Sequence, residues 1–120
     1  MSEVQIYHNP NCSTSKHAVN VADELGVDYD VIKYMLKSQQ PDRAQLESVI
    51  AKIEDPVTDL VRRDANFKRL GLSDDDVATA DQVLEVLTAH PQLLQRPVLV
   101  KGDRAIIGRP KTRVAEFLRG

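Results

Sequence analysis

His8-Asn9-Pro10-Asn11-Cys12-Ser13-Thr14-Ser15-Lys16 carries the chain's single cysteine directly after an apolar, strand-like run and directly before a helix-like one. Ahead of it, Val4-Gln5-Ile6-Tyr7 alternates and is β-prone, and the turn residues Asn9-Pro10-Asn11 stop it at once. Behind it, Ala18, Val19, Val21, Ala22 and Leu25 recur at helical spacing, with Gly26 as the natural stop. The pattern predicts a helix from Ser13 to Leu25 with Cys12 at its mouth.

A thiol in that place faces the free backbone N–H groups of the helix's first turn, which favour negative charge on sulfur. Ser13, Thr14 and Ser15 add hydroxyl donors, and Lys16 adds a nearby positive charge. A cysteine of pKa about 8.5 is only ~3% thiolate at pH 7, whereas at roughly 6.5 it is about three-quarters thiolate, a difference of about 2.7 kcal/mol. Helix-end dipoles and one or two charge-assisted hydrogen bonds supply an energy of that order. A space-filling cysteine would sit among residues such as Leu and Val, but the neighbours here are Asn, Ser, Thr and Lys.

Working outward, Val27 to Tyr34 reads as a second strand, which a helical crossover makes parallel to the first in a right-handed β-α-β unit. After Pro41, Asp42 caps a predicted helix whose inward residues are Ala44, Leu46, Val49, Ile50 and Ile53. Asp55-Pro56 begins a short helical piece containing Leu60-Val61-Arg62-Arg63. Ser73 and three aspartates read as a solvated helix entry rather than a metal site, with Val83, Leu84, Val86 and Leu87 as the apolar face before His90-Pro91. Pro97-Val98-Leu99-Val100 and Arg104-Ala105-Ile106-Ile107 form a predicted antiparallel pair around Lys101-Gly102-Asp103. A last helix, Lys111 to Leu118, takes Pro110 in its first turn. The order β-α-β, helical insert, β-β-α predicts an α/β chain of thioredoxin-like fold: a mixed four-stranded sheet with flanking helices.

With 120 residues, 42% of them hydrophobic, the chain suffices for one domain with one core. We expect a single domain over residues 1–120 with the helical insertion at about 41–91. A net charge of −2 and 4% aromatic content offer no overall basic footprint and few stacking platforms, so no nucleic-acid partner is expected. No apolar run approaches the ~20 residues of a membrane span, and Met1-Ser2-Glu3-Val4 lacks a signal peptide's regions. A cytoplasmic protein without a membrane partner is expected. One cysteine excludes an internal disulfide, and Ser15 stands where a Cys-x-x-Cys pair would place its second thiol. Any redox cycle must therefore borrow a thiol. His8, His17 and His90 form no coordinating pattern with Cys12, so no metal is expected.

A thiolate at a helix N-terminus attracts an anionic electrophile, which directs attention to the arginines. Arg62 lies in the apolar helical piece, Arg96 precedes Pro97 at a strand entry, and Arg109 sits between Gly108 and Pro110 at a strand exit. An X-Pro bond in the cis form would aim the residue before it. In this topology the loop before the third strand lies beside the cysteine, so Arg96 and Cys12 should be neighbours. Arg63, Arg69, Arg104, Arg113 and Arg119 are read as surface ion pairs, the usual fate of arginine.

The segments Tyr7 to Lys16, Leu60-Val61-Arg62, Leu70-Gly71-Leu72, Gln95-Arg96-Pro97-Val98 and Gly108-Arg109-Pro110 resemble those of the glutaredoxin-dependent arsenate reductases, an ArsC-like family of the thioredoxin-like superfamily. The likeness runs from about residue 4 to residue 118 in the family's order. It implies Cys12 as nucleophile, with Arg62, Arg96 and Arg109 as the oxyanion clamp. His8 and Ser15 occupy the positions that tune the thiol, and Asn11, Ser13 and Thr14 line the substrate side of the loop. It also implies arsenate as substrate, no bound cofactor, glutathione or a similar small thiol as co-substrate, and glutaredoxin as electron donor. Ser13 stands where the family usually has glycine, and Lys16 where arginine is common. The segment between Arg62 and Phe67 looks one residue short, and the C-terminal tail is brief.

Three other readings use the same residues. A cysteine phosphatase needs Cys-x5-Arg, but the sixth residue after Cys12 is Ala18. A glutathione-dependent thiol or mixed-disulfide reductase on the same fold would use Cys12 without arsenate. A polymerase-binding regulator resembling the Spx-type proteins would often use a paired cysteine switch, which Ser15 removes.

Overall fold

The computed structural model describes residues 3–119. Val4–Tyr7 (β1) is flanked on one side by Tyr29–Ile32 (β2), in parallel, and on the other by Val98–Lys101 (β3), antiparallel; Arg104–Ile107 (β4) completes the sheet in the order β2-β1-β3-β4. The period of two sorts the side chains. Val4, Ile6, Leu99 and Ile106 face one layer, and Tyr7, Val98, Val100, Ala105 and Ile107 face the other.

The first layer consists of Ser13–Leu25 (α1) and Arg113–Arg119 (α5), which press Ala18, Ala22, Val114, Phe117 and Leu118 against the sheet. Gly26 ends α1 in the left-handed region, φ 68°, with its N–H on the carbonyls of Ala22 and Asp23. The second layer comes from the segment between β2 and β3. It holds Arg43–Lys52 (α2), Ala65–Arg69 (α3) and Ala80–Ala89 (α4), with Leu46, Val49, Leu60, Phe67, Val83 and Leu87 in its core. No helix among the described residues is long and apolar enough to cross a membrane.

The mixed sheet and its flanking helices agree with the sequence, and several boundaries move for identifiable reasons. β2 is shorter than Val27 to Tyr34, because Val27 gives its N–H to Ala22 in the α1 terminus and Tyr34 turns back to Ile32. Ala44 is exposed, while Leu46 and Val49 carry the inward face of α2 and Asp42 caps it through Gln45. The helix expected from Ser73 is two pieces: a 3-10 turn, Asp74–Val77, and then α4, which starts afresh at its own cap, Thr79. Asp76 accepts from the Ser73 N–H at 2.8 Å, and Asp74 pairs with Arg63. The last helix begins at Arg113 rather than Lys111, so Pro110 precedes it instead of opening it.

Arg62 is not helical. The 3-10 turn Val57–Leu60 ends before it, and Val61 bridges to Leu94 in antiparallel fashion. The Arg62 N–H donates to Leu93 O at 2.8 Å, and the Gln95 N–H donates to Leu60 O at 2.7 Å. This short ladder carries the insertion to the segment that holds Arg96.

Candidate active site

Cys12 is the N-cap of α1, with extended backbone at φ −106° and ψ 121°. The loop before it is braced by its own polar groups. The Cys12 N–H donates to Asn9 O at 3.0 Å, and the Asn11 N–H donates to Asn9 Oδ1 at 2.9 Å. Below the loop, buried Ser15 accepts from the Asn9 N–H at 3.0 Å and shares a hydrogen bond with His8 Nδ1 at 2.6 Å. Cys12, half-buried, stands above this braced floor.

Two of the three arginines meet the thiol. Arg109 donates from Nη2 to Cys12 Sγ at 3.5 Å, and its Nε is fixed by the carbonyl of Arg96 at 2.8 Å. The Arg96 guanidinium lies against the sulfur and against Tyr34, whose hydroxyl donates to Leu94 O at 2.8 Å. Both Arg96-Pro97 and Arg109-Pro110 are cis. Burial raises the Cys12 pKa, but the Ser15 N–H, the Arg96 guanidinium, the Thr14 N–H and the Arg109 charge outweigh it and hold the thiol below its ordinary value.

Arg62 stands one step back. Its Nη1 donates to Gln95 Oε1 at 3.1 Å, its Nε lies 3.6 Å from Asp64, and that buried Nε has no hydrogen-bond partner. Arg96 Nε is likewise buried without a partner. A cleft of about 190 Å³ opens between Arg62 and Arg109, lined also by Arg63, Asp64 and Gln95. Arg62 and Arg109 put two guanidiniums on this cleft, a complement for a small, multiply charged oxyanion. Thr14 contributes through its backbone, whereas Asn11 and Ser13 are exposed at the loop surface. Lys16 is also exposed and does not figure among the groups that lower the thiol, contrary to the expectation from spacing.

The model of the ArsC family matches residues 7–117. The chain belongs to the ArsC family. Among proteins similar to it is an arsenate reductase of Neisseria meningitidis, 32% identical over 120 residues, which span 98% of this chain and 100% of that protein. An Escherichia coli arsenate reductase is 33% identical over 98% of this chain and 82% of its own length. Among solved structures, an arsenate reductase from Vibrio cholerae superposes with a TM-score of 0.82 at 30% identity, covering 98% of each chain.

Within this ArsC-family frame the sequence reading passed over two residues. Gln95 Oε1 accepts from Arg62 Nη1 and from the Arg96 backbone N–H at 3.2 Å, so one amide ties the Arg62 guanidinium to the backbone of Arg96. Tyr34, placed by pattern at a strand end, is fully buried against Arg96. Gln95's position directly before Arg96 was its only sequence signal, and Tyr34 had none.

Proposed function

We propose that this protein reduces arsenate to arsenite through a Cys12 thiolate, with a glutathione-like thiol and a glutaredoxin supplying the electrons. The observation that carries this reading is the 3.5 Å contact of Arg109 with Cys12 Sγ, with Arg96 also against the sulfur. An oxyanion enters between the α1 N-terminus and the guanidiniums of Arg62, Arg96 and Arg109, which neutralise its charge. Asn11, Ser13 and Thr14 orient it from the loop, and His8 and Ser15 hold that loop in shape.

The sulfur then forms an S–As bond as one As–O bond breaks, the oxygen leaving as water with protons from solvent. The small thiol displaces a second oxygen in the same way, and arsenic is still As(V). Next, two sulfurs join in a disulfide. Both S–As bonds break in this step: one electron pair becomes the S–S bond and the other stays on arsenic, which leaves as As(III), and glutaredoxin reduces the mixed disulfide. Two thiols thus provide the two electrons, and no bound cofactor takes part. Phosphate docks alike but is not reduced. Residues 1–120 act as one domain whose insertion, about 41–91, brings Arg62, and the reducing cytoplasm suits the thiol chemistry.

A coupled assay with NADPH, arsenate, glutathione and glutaredoxin, comparing wild type with Cys12→Ser, tests the proposal. Arsenate-dependent turnover is expected from wild type alone. Equal rates would remove Cys12 from the mechanism, and an inactive wild type would favour thiol reduction without an oxyanion.

A further inference from the structure

Arg113 falls among the arginines whose expected fate is a surface ion pair, yet its side chain is 31% exposed and that of its partner Asp55 is 17% exposed. Asp55 arrives in register with β4: Ile53 bridges to Ala105 in parallel, and the Glu54 N–H donates to Ala105 O at 2.9 Å. Both carboxylate oxygens are then used, Oδ2 accepting from the Ile107 N–H at 2.9 Å and Oδ1 from Arg113 Nη1 at 2.7 Å. The same Nη1 also donates to Ile107 O at 3.0 Å and to Arg109 O at 3.2 Å. The pair thus holds three backbone groups of Ile107-Gly108-Arg109. A solvent-exposed ion pair that joined only two mobile side chains would constrain no such loop.

We propose that Asp55 and Arg113 are positioning residues for Arg109, fixing its backbone so that its guanidinium reaches the Cys12 sulfur and the incoming oxyanion. This rests on the reading of Cys12 and Arg109 as an oxyanion site. Asp55→Asn keeps the shape but replaces one acceptor oxygen with an NH2 donor, so either the Ile107 N–H or Arg113 loses its acceptor. The loop then loosens, and Arg109 no longer meets the anion at a fixed distance. The N–H groups of Thr14 and Ser15 at the sulfur belong to α1, a different segment.

The test is the rate of Cys12 alkylation by iodoacetamide under increasing inorganic phosphate, which reads oxyanion occupancy without needing turnover. Wild type, Arg109→Ala, Asp55→Asn and the double variant are compared. The phosphate concentration giving half protection should rise about tenfold in Arg109→Ala and several-fold in Asp55→Asn. The double variant should protect no worse than Arg109→Ala, because Asp55 acts through Arg109. Unchanged protection in Asp55→Asn beside weakened protection in Arg109→Ala would overturn this proposal alone. So would an Asp55→Asn effect undiminished in the Arg109→Ala background. Unchanged protection in Arg109→Ala itself would overturn both this proposal and the oxyanion site. Should Asp55→Asn yield no folded protein, Arg113→Lys, which keeps the charge but loses the planar fork, takes its place under the same outcomes.

Discussion

His8 Nδ1 and Ser15 Oγ lie 2.6 Å apart beneath the thiol loop, and the same hydroxyl accepts the Asn9 N–H at 3.0 Å. Ser15 is wholly buried in the first turn of α1, the turn whose N–H groups face the sulfur. One hydroxyl therefore ties the end of β1, the loop and the helix entry together.

Replacing Ser15 with alanine leaves the buried Asn9 N–H without an acceptor. A buried donor left unsatisfied costs about 1–3 kcal/mol. Urea unfolding of Ser15→Ala should show a loss in that range, and a change below about 0.5 kcal/mol would mean the tie is not structural.

Stability should also respond to pH through His8. Burial, aided by the charges of Lys33 and Lys16, lowers its pKa against an opposing hydrogen bond with the Ser15 backbone. As pH falls through about 6.5 the unfolded chain takes up this proton first, so stability present above that pH is lost between there and the lower folded value. His8→Asn should therefore lose less unfolding free energy than wild type between about pH 7 and 5.5. Parallel curves for the two proteins would contradict this.

In the proposed mechanism Arg96 acts twice, on the sulfur and on the oxyanion. Arg96→Ala should lower kcat/KM for arsenate by about 10- to 100-fold, the range expected for a lost charge-assisted contact. Arg96→Lys should recover only part, because an ammonium cannot offer the planar fork. Steady-state kinetics in the coupled assay decide it, and full recovery by lysine would reduce Arg96 to a point charge.

Gly108 shows why the Arg109 loop can lie so close to Pro97. A Cβ there would sit 2.7 Å from Pro97 Cγ and 2.9 Å from Leu99 Cδ1. Gly108→Ala should cost about 1–3 kcal/mol by overpacking and weaken oxyanion binding by pushing the Arg109 loop away from Pro97. Wild-type stability by urea unfolding would show that the contact relaxes freely.

The β-α-β start, the β3–β4 hairpin and the Cys12 cap were legible because local signals carry them: alternation, helical spacing, turn residues and Gly26. Arg62 was misplaced because Leu60 and Val61 read as helix, whereas a two-residue ladder with Leu93 and Leu94, far along the chain, decides their conformation. Arg113 was dismissed for a similar reason. Its worth lies in Asp55 and in backbone carbonyls 4 and 6 residues away, which no spacing rule joins to a thiol. Lys16 failed in the opposite direction, being near in sequence but turned to solvent.

The pH dependence of Cys12 alkylation by iodoacetamide is the most direct measurement of whether this sulfur is held negative where the guanidiniums meet it. The account predicts a midpoint below the ordinary thiol value of about 8.5, displaced upward in Arg96→Ala. A midpoint at or above that value in wild type, unmoved by the substitution, would contradict it.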